Sequence, residues 1–125
     1  VSDRNGIVGF HIGESNSIGS ISQTDAFYKV PTITLDGLIA DGVPIPDLIK
    51  MDVEGAESLV LNGAKNLLSR KKTTFFIALH SGDQQRKCAK LLRSSGYEIY
   101  HLDGQTAVGE LTSDEIYATP ECKTA

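Results

Sequence analysis

The stretch that decides the fold is PDLIKMDVEGAE, residues 46–57. Its apolar part, residues 48–53, is short enough for a buried strand, and a helical pattern follows directly. Two acids, Asp52 and Glu54, come at the point where this strand should end. In an open α/β sheet, ligands bind outside the carboxyl ends of the strands. The order of the residues therefore predicts that Asp52 and Glu54 lie at the functional edge of a sheet.

The composition is that of one globular domain. The chain has 125 residues, of which 40% are hydrophobic and 22% charged, so a packed core is expected and disorder is not. The net charge of −4 argues against nucleic acid or an anionic membrane as the main partner. No stretch approaches the ~20 apolar residues of a membrane span, and no signal segment opens the chain. We expect a cytoplasmic protein.

The two cysteines, Cys88 and Cys122, show no metal-binding spacing. Neither belongs to a CxxC motif or to a cluster of cysteine and histidine, so a structural zinc site is not expected. We interpret both as free thiols in a reducing compartment.

The C-terminal part alternates strands and helices. Apolar residues at i, i+4, i+7 and i+8 predict one helix from Ala56 to Arg70. The continuous apolar run 73–80 predicts a strand buried on both faces. Asp83 is expected to cap a helix over residues 84–94. Strands at 97–102 and 114–119 follow, and the last is expected to be antiparallel because no helix precedes it.

The N-terminal part reads as β structure. Residues 7–12 and 18–22 predict a hairpin around a polar turn at 14–17, and residues 27–33 predict an extended edge segment. Thr34 can cap a short helix over residues 35–40. We therefore expect a single α/β domain over residues 1–125. It divides into a hairpin and extended segment, 1–33, and an α/β core, 34–125.

Several motifs, in this order, resemble the C-terminal half of an S-adenosylmethionine-dependent methyltransferase of the FkbM type. The most specific is IKMDVEGAE, residues 49–57, for which a chance match is improbable. Weaker matches are Ser2-Asp3 followed by Gly6, TLDGLI at 34–39, VLNGA at 60–64 and Gly96-Tyr97. Together these motifs extend over nearly the whole chain.

The resemblance implies a Rossmann-like sheet with strand order 3-2-1-4-5-7-6, in which strand 7 is antiparallel. On this mapping the chain supplies the family's strands 4-5-7-6 and a hairpin before them. The glycine-rich turn after strand 1 and the acid after strand 2 have no counterpart in the 125 residues. We therefore expect weak binding of S-adenosylmethionine by this chain alone. One departure is Ala78, where the family usually has a glutamate two residues before His80.

The resemblance also implies a reaction, O-methylation of a hydroxyl on a small molecule or sugar, and roles for individual residues. Asp52 would orient the acceptor hydroxyl or the methionine ammonium of the cofactor. Ser2 and Asp3 match the loop that meets the adenine edge. We therefore expect Ser2, Asp3 and Asp52 to bind the cofactor, and no resident metal.

The candidate catalytic residues are Asp52, Glu54 and His80. His80 ends the strand 73–80, on the edge that carries Asp52, and its ordinary pKa near neutrality suits a general base. Each residue also has a structural interpretation: a capping aspartate, a glutamate favoured by the helix dipole, and a solvated strand-end histidine. Glu57 is interpreted as a dipole acid. His11 and His101 are expected to have no role.

Two alternatives to a methyltransferase remain open. The strand over residues 48–53 would be an unpaired sheet edge, so the chain could be a non-catalytic α/β module that binds a partner or self-associates. Asp52 and Glu54 could also hold a divalent metal with His80, as in a metal-dependent hydrolase. That arrangement needs more ligands than the sequence offers.

Overall fold

The computed structural model describes residues 1–12, 19–22 and 28–122. Its strands are β1 (Gly6–Ile12), β2 (Gly19–Ser22), β3 (Tyr28–Thr32), β4 (Leu48–Met51), β5 (Thr74–Ala78), β6 (Tyr97–His101) and β7 (Glu115–Pro120). Its helices are α1 (Leu35–Ala40), α2 (Glu57–Asn62), α3 (Lys65–Arg70) and α4 (Gly82–Ser94). The predicted turn at residues 14–17 lies outside the described part of the chain.

The α/β core contains a four-stranded mixed sheet with strand order β4-β5-β7-β6. β4 and β5 are parallel neighbours, and β7 runs antiparallel to both β5 and β6. The α/β class, the strand order and the antiparallel last strand are thus confirmed. Since β4 and β5 run in the same direction, the residues that follow them meet at one edge of the sheet.

The N-terminal segment forms a separate three-stranded antiparallel sheet with order β2-β1-β3. β1 and β2 form the predicted hairpin, and β3 is an edge strand that accommodates Pro31. The Thr34 hydroxyl then accepts a 2.9 Å hydrogen bond from the Gly37 amide, which caps α1 as predicted.

The single helix predicted from Ala56 to Arg70 is wrong, because α2 and α3 are two helices that break at Gly63. The break has a tertiary cause. The Asp36 carboxylate accepts hydrogen bonds of 2.9 Å from the amides of Asn66 and Leu67, so a residue about 30 positions earlier caps α3. The Gly63 carbonyl in turn accepts a 3.0 Å bond from the Asp36 amide.

The prediction that β5 is buried on both faces is also wrong. Phe75 and Ile77 are buried in the core beneath α2, α3 and α4, whereas Phe76 points to the other face and is 39% exposed. On that face Phe76 stacks on Tyr117, and Tyr117 stacks on Tyr100. On this face the aromatic rings cover one another, where a helix would otherwise cover the sheet. The exposed face of β5 therefore also carries an apolar side chain, and the run 73–80 is apolar on both faces.

Helix α4 begins two residues earlier than predicted. Ser81, not Asp83, is its N-cap, and the Ser81 hydroxyl accepts a 3.2 Å bond from the Gln84 amide. Asp83 lies in the first turn and pairs with Lys87 at 2.7 Å. Within the described ranges, no helix is long and apolar enough to cross a membrane.

Candidate active site

The carboxyl ends of β4 and β5 form the candidate site. β4 ends at Met51, so Asp52 leaves the sheet at once, and His80 follows β5 after two residues. After Asp52 the chain reverses direction through Glu54 and Gly55, whose φ angles of 51° and 94° lie in the left-handed region. A left-handed glutamate is uncommon and costs about 1 kcal/mol or more. This turn brings Glu54 and Glu57 to the side of the His80 ring.

His80 lies at the centre of three carboxylates. Its Nε2 is 3.2 Å from Asp52 Oδ1 and 3.3 Å from Glu54 Oε2. Its Nδ1 is 2.7 Å from Glu57 Oε1. The structure therefore brings the three residues with predicted catalytic roles, Asp52, Glu54 and His80, into one cluster.

Glu57 is the member of this cluster that sequence reasoning missed. It lies in the first turn of α2, as interpreted, but it is 0% exposed and bonded to His80. A signal was available in the sequence. Glu57 shares one helix face with Val60, Leu61 and Ala64 at i, i+3, i+4 and i+7, and an acid on an apolar face must be buried with a partner.

The carboxylates change the proton affinity of His80. Partial burial alone would lower the pKa of its imidazole. The hydrogen bond to Glu57 and the negative charges of Glu57, Glu54 and Asp52 act in the opposite direction and raise the pKa above its ordinary value of 6.5. His80 therefore binds a proton more strongly than a free histidine does.

An apolar cavity of about 290 Å³ borders the cluster at Asp52 and Glu54. Most of its wall comes from the N-terminal sheet and the residues beside it, and Asp52 and Glu54 supply carboxylates. The apolar residues that line it include Val1, Val8, Phe10, Ile21, Val30 and Val53. Such a cavity suits a ligand with a large apolar surface and a few polar groups.

A more polar cleft of about 760 Å³ also borders the cluster. Its lining includes Asp52, His80, Ser81, Gln85, Asp114 and Glu115. Asp52 lines both the cleft and the apolar cavity. The Asp52 carboxylate can therefore contact a ligand in the apolar cavity and a ligand in the polar cleft.

The departure at Ala78 lies in the cleft. Ala78 and Glu115 are register partners on β5 and β7, and both line the cleft. A carboxylate is therefore present beside position 78, but it comes from the neighbouring strand.

Asp52, Glu54 and His80 are also the residues that could hold a metal ion. One ligand atom from each lies within 4.8 Å of the others. Three protein ligands are fewer than a divalent cation with oxygen ligands requires, so water or a substrate would have to complete the shell.

Ser2 and Asp3 lie apart from the acid–histidine cluster in the described contacts. Ser2 is buried, its amide donates a 3.0 Å bond to the Ile33 carbonyl, and its hydroxyl donates a 3.1 Å bond to Asp3. The neighbouring Val1 lines the apolar cavity. His101 contacts Ser113, outside the cluster. The side chain of His11 lies outside what the structure describes.

Open α/β domains bind their ligands at the carboxyl ends of the strands, where this cluster and both cavities lie. Comparison with known proteins assigns the class more closely. Residues 2–103 match the family model described as the methyltransferase FkbM domain. The chain belongs to the FkbM methyltransferase family, which confirms the resemblance.

One similar protein is a hexuronic acid methyltransferase, AglP, from Haloferax volcanii. The two chains are 31% identical over 101 residues, which cover 69% of this chain and 42% of the relative. The match thus extends over less than half of the relative's length. No solved structure matches the chain.

Proposed function

We propose that this domain belongs to an enzyme that transfers a methyl group from S-adenosylmethionine to a hydroxyl of a small molecule or sugar. The observation that carries the proposal is the position of Asp52, which lines both cavities and contacts His80. The proposal places the cofactor in the apolar cavity, whose wall includes Asp52 and Val1, the neighbour of Ser2. Cofactor contacts of Ser2 and Asp3 stay a prediction from the resemblance. The four-stranded sheet is then part of a Rossmann-like sheet.

The reaction is an in-line displacement. Bound S-adenosylmethionine would supply the methyl group, which the acceptor oxygen would take in place of the sulfur, with S-adenosylhomocysteine as the other product. The domain contributes mainly orientation, with Asp52 and Glu54 accepting hydrogen bonds from hydroxyls of the acceptor that neighbour the reacting one. The hydroxyl proton passes to His80 Nε2, the nitrogen that faces these carboxylates. No metal takes part in this mechanism.

The charges of the polar cleft disfavour an anionic acceptor. Asp52, Asp114 and Glu115 are all acids that line it. A carboxylate on the acceptor would be repelled by these groups. We therefore propose a neutral sugar or alcohol, in contrast to the hexuronic acid named for the relative.

The test is an assay of the protein that carries this segment. It is incubated with S-adenosylmethionine and paired neutral and uronic sugars, and mass spectrometry detects products heavier by one methylene group. We expect S-adenosylhomocysteine and a methylated neutral sugar. Asp52→Asn should reduce turnover at least ~100-fold. Glu121→Gln, at an exposed position after β7, should leave it unchanged. Absence of transfer to every acceptor would refute the proposal.

Self-association is a second candidate function, supported by the β4 edge. In the described part of the chain β4 pairs with β5 alone, and Leu48 on β4 is 55% exposed. Lys50 is also exposed on β4, and a lysine there weakens strand pairing between copies. Sedimentation velocity over a concentration series tests this candidate, since a monomer throughout would eliminate it.

The cytoplasmic location stays a prediction from the sequence.

A further inference from the structure

The three carboxylates around His80 differ in exposure. The Asp52 and Glu54 side chains are 50% and 39% exposed, whereas the Glu57 side chain is fully buried. Asp52 and Glu54 contact Nε2, and Glu57 alone contacts Nδ1. Thus Nδ1 of His80 contacts a buried acid, and Nε2 faces two solvent-accessible acids.

The turn before α2 fixes the Glu57 carboxylate. Its Oε1 accepts a 3.0 Å bond from the Gly55 amide as well as the 2.7 Å contact with His80. Gly55 has φ of 94°, a conformation that a side chain rarely adopts. The chain geometry that places Glu54 beside Nε2 therefore also directs a backbone donor at Glu57.

The chemistry of the pair determines which His80 nitrogen carries the proton. A carboxylate only accepts hydrogen bonds, so a 2.7 Å contact with Glu57 requires a hydrogen on Nδ1. Asp52 and Glu54 also lie near Nε2, but at the longer distances of 3.2 and 3.3 Å, so the one hydrogen of the neutral ring is expected on Nδ1, and Nε2 is left without one. This is the state that a general base needs at the nitrogen that faces the acceptor.

We propose that Glu57 is a positioning residue that holds the His80 ring with Nδ1–H directed to the interior and Nε2 directed to the acceptor cleft. Glu57 does not touch the reacting atoms and acts through His80. The role of Nε2 as a general base rests on the proposed function, whereas the position of the hydrogen on Nδ1 does not. If Glu57 only anchored the turn before α2, its loss would change stability and leave the His80 tautomer unchanged.

The experiment is two-dimensional ¹H–¹⁵N NMR of the histidine rings in this chain, recorded across a pH titration, with His80→Gln to assign the signals. The titratable groups that face His80 are Asp52 and Glu54 at Nε2 and Glu57 at Nδ1. Asp114 and Glu115 share the cleft lining with His80. Three variants are compared with the wild type: Glu57→Met, Glu57→Gln and Glu54→Gln.

The neutral His80 of the wild type should be predominantly the Nδ1–H tautomer. Glu57→Met removes the acceptor and keeps the side-chain volume, so the ring should become predominantly Nε2–H. Glu57→Gln keeps an acceptor oxygen, so it should retain Nδ1–H while the pKa of His80 falls. Glu54→Gln is the matched control at the other nitrogen, and it too should retain Nδ1–H.

Two results would overturn the positioning role. One is an Nε2–H tautomer in the wild type, which needs no variant to fold. The other is a folded Glu57→Met protein whose His80 remains Nδ1–H. Neither measurement needs a cofactor or an acceptor. A protein without methyl transfer but with the expected tautomers would fail only the proposed function, and the reverse result would remove only the role of Glu57.

Discussion

Replacing Gly63 by alanine should destabilise the protein, although helix propensity predicts the opposite. Gly63 is the C-cap of α2, with φ of −85°, so alanine meets no backbone strain there. A Cβ atom at this position would however lie 2.3 Å from the Ser2 carbonyl oxygen and 3.1 Å from Thr34 carbons. The Ser2 backbone must therefore move by about 0.7 Å to reach 3.0 Å.

The magnitude follows from what this displacement disturbs. Overpacking of a buried site costs about 1–3 kcal/mol. Two backbone hydrogen bonds of 3.0 Å lie next to the clash, Ser2 to Ile33 and Asp36 to Gly63, and weakening each costs up to about 1 kcal/mol. The propensity gain of alanine over glycine is at most about 1 kcal/mol. We expect a net loss of about 2–3 kcal/mol.

Urea denaturation followed by circular dichroism measures this loss, since a domain of this size usually unfolds in two states. Gly82→Ala is the matched control, because a Cβ at Gly82 in α4 would meet only Arg86 Nη1 at 3.5 Å, an ordinary contact. It should be neutral or slightly stabilising. Hydrogen exchange of the Asp36 amide, which donates to the Gly63 carbonyl, reports whether the variant weakens this hydrogen bond without unfolding the whole protein. A Gly63→Ala protein as stable as the wild type, with an equally protected Asp36 amide, would refute the reasoning.

Three further predictions follow from single residues. Asp36→Ala removes both amide acceptors of α3 and should cost about 1–2 kcal/mol in urea denaturation, whereas Asp36→Asn should cost less. The pKa of His80 is raised in the fold, so protonated His80 stabilises the protein fully below its unfolded pKa, and this stabilisation is lost as pH rises through the folded pKa. The free energy of unfolding of the wild type should therefore exceed that of His80→Gln by less as pH rises through this range, and a difference that stays constant with pH would contradict this. Burial and the charge of Glu57 raise the pKa of Cys88 to about 12, so iodoacetamide at about pH 8 should modify the exposed Cys122 and reach Cys88 only after unfolding.

The sequence predicted the part of the fold that local patterns determine. An apolar run followed by a turn and a helical pattern placed β4 and the start of α2, and a strand without a preceding helix predicted the antiparallel β7. The same logic brought Asp52, Glu54 and His80 to one edge, since residues after parallel strands share that edge. Their catalytic and cofactor roles stay predictions.

The errors arose where distant residues decide local structure. Nothing in residues 56–70 shows that Asp36 caps a second helix there, because the capping group comes from α1. Continuous hydrophobicity in β5 did not distinguish burial under helices from stacking of Phe76 on Tyr117. Both features depend on contacts between segments that periodicity does not report.

Position 78 and its register partner Glu115 lie together in the lining of the polar cleft. The FkbM resemblance leads us to expect a carboxylate there, and alanine stands in its place. The antiparallel pairing of β7 with β5 sets Glu115 directly beside Ala78, and both line the polar cleft with His80. A side chain as small as alanine leaves room for a longer neighbour to reach the same space. The register of β7, a feature of topology and not of the IKMDVEGAE motif, therefore adds Glu115 to the acids that line the polar cleft.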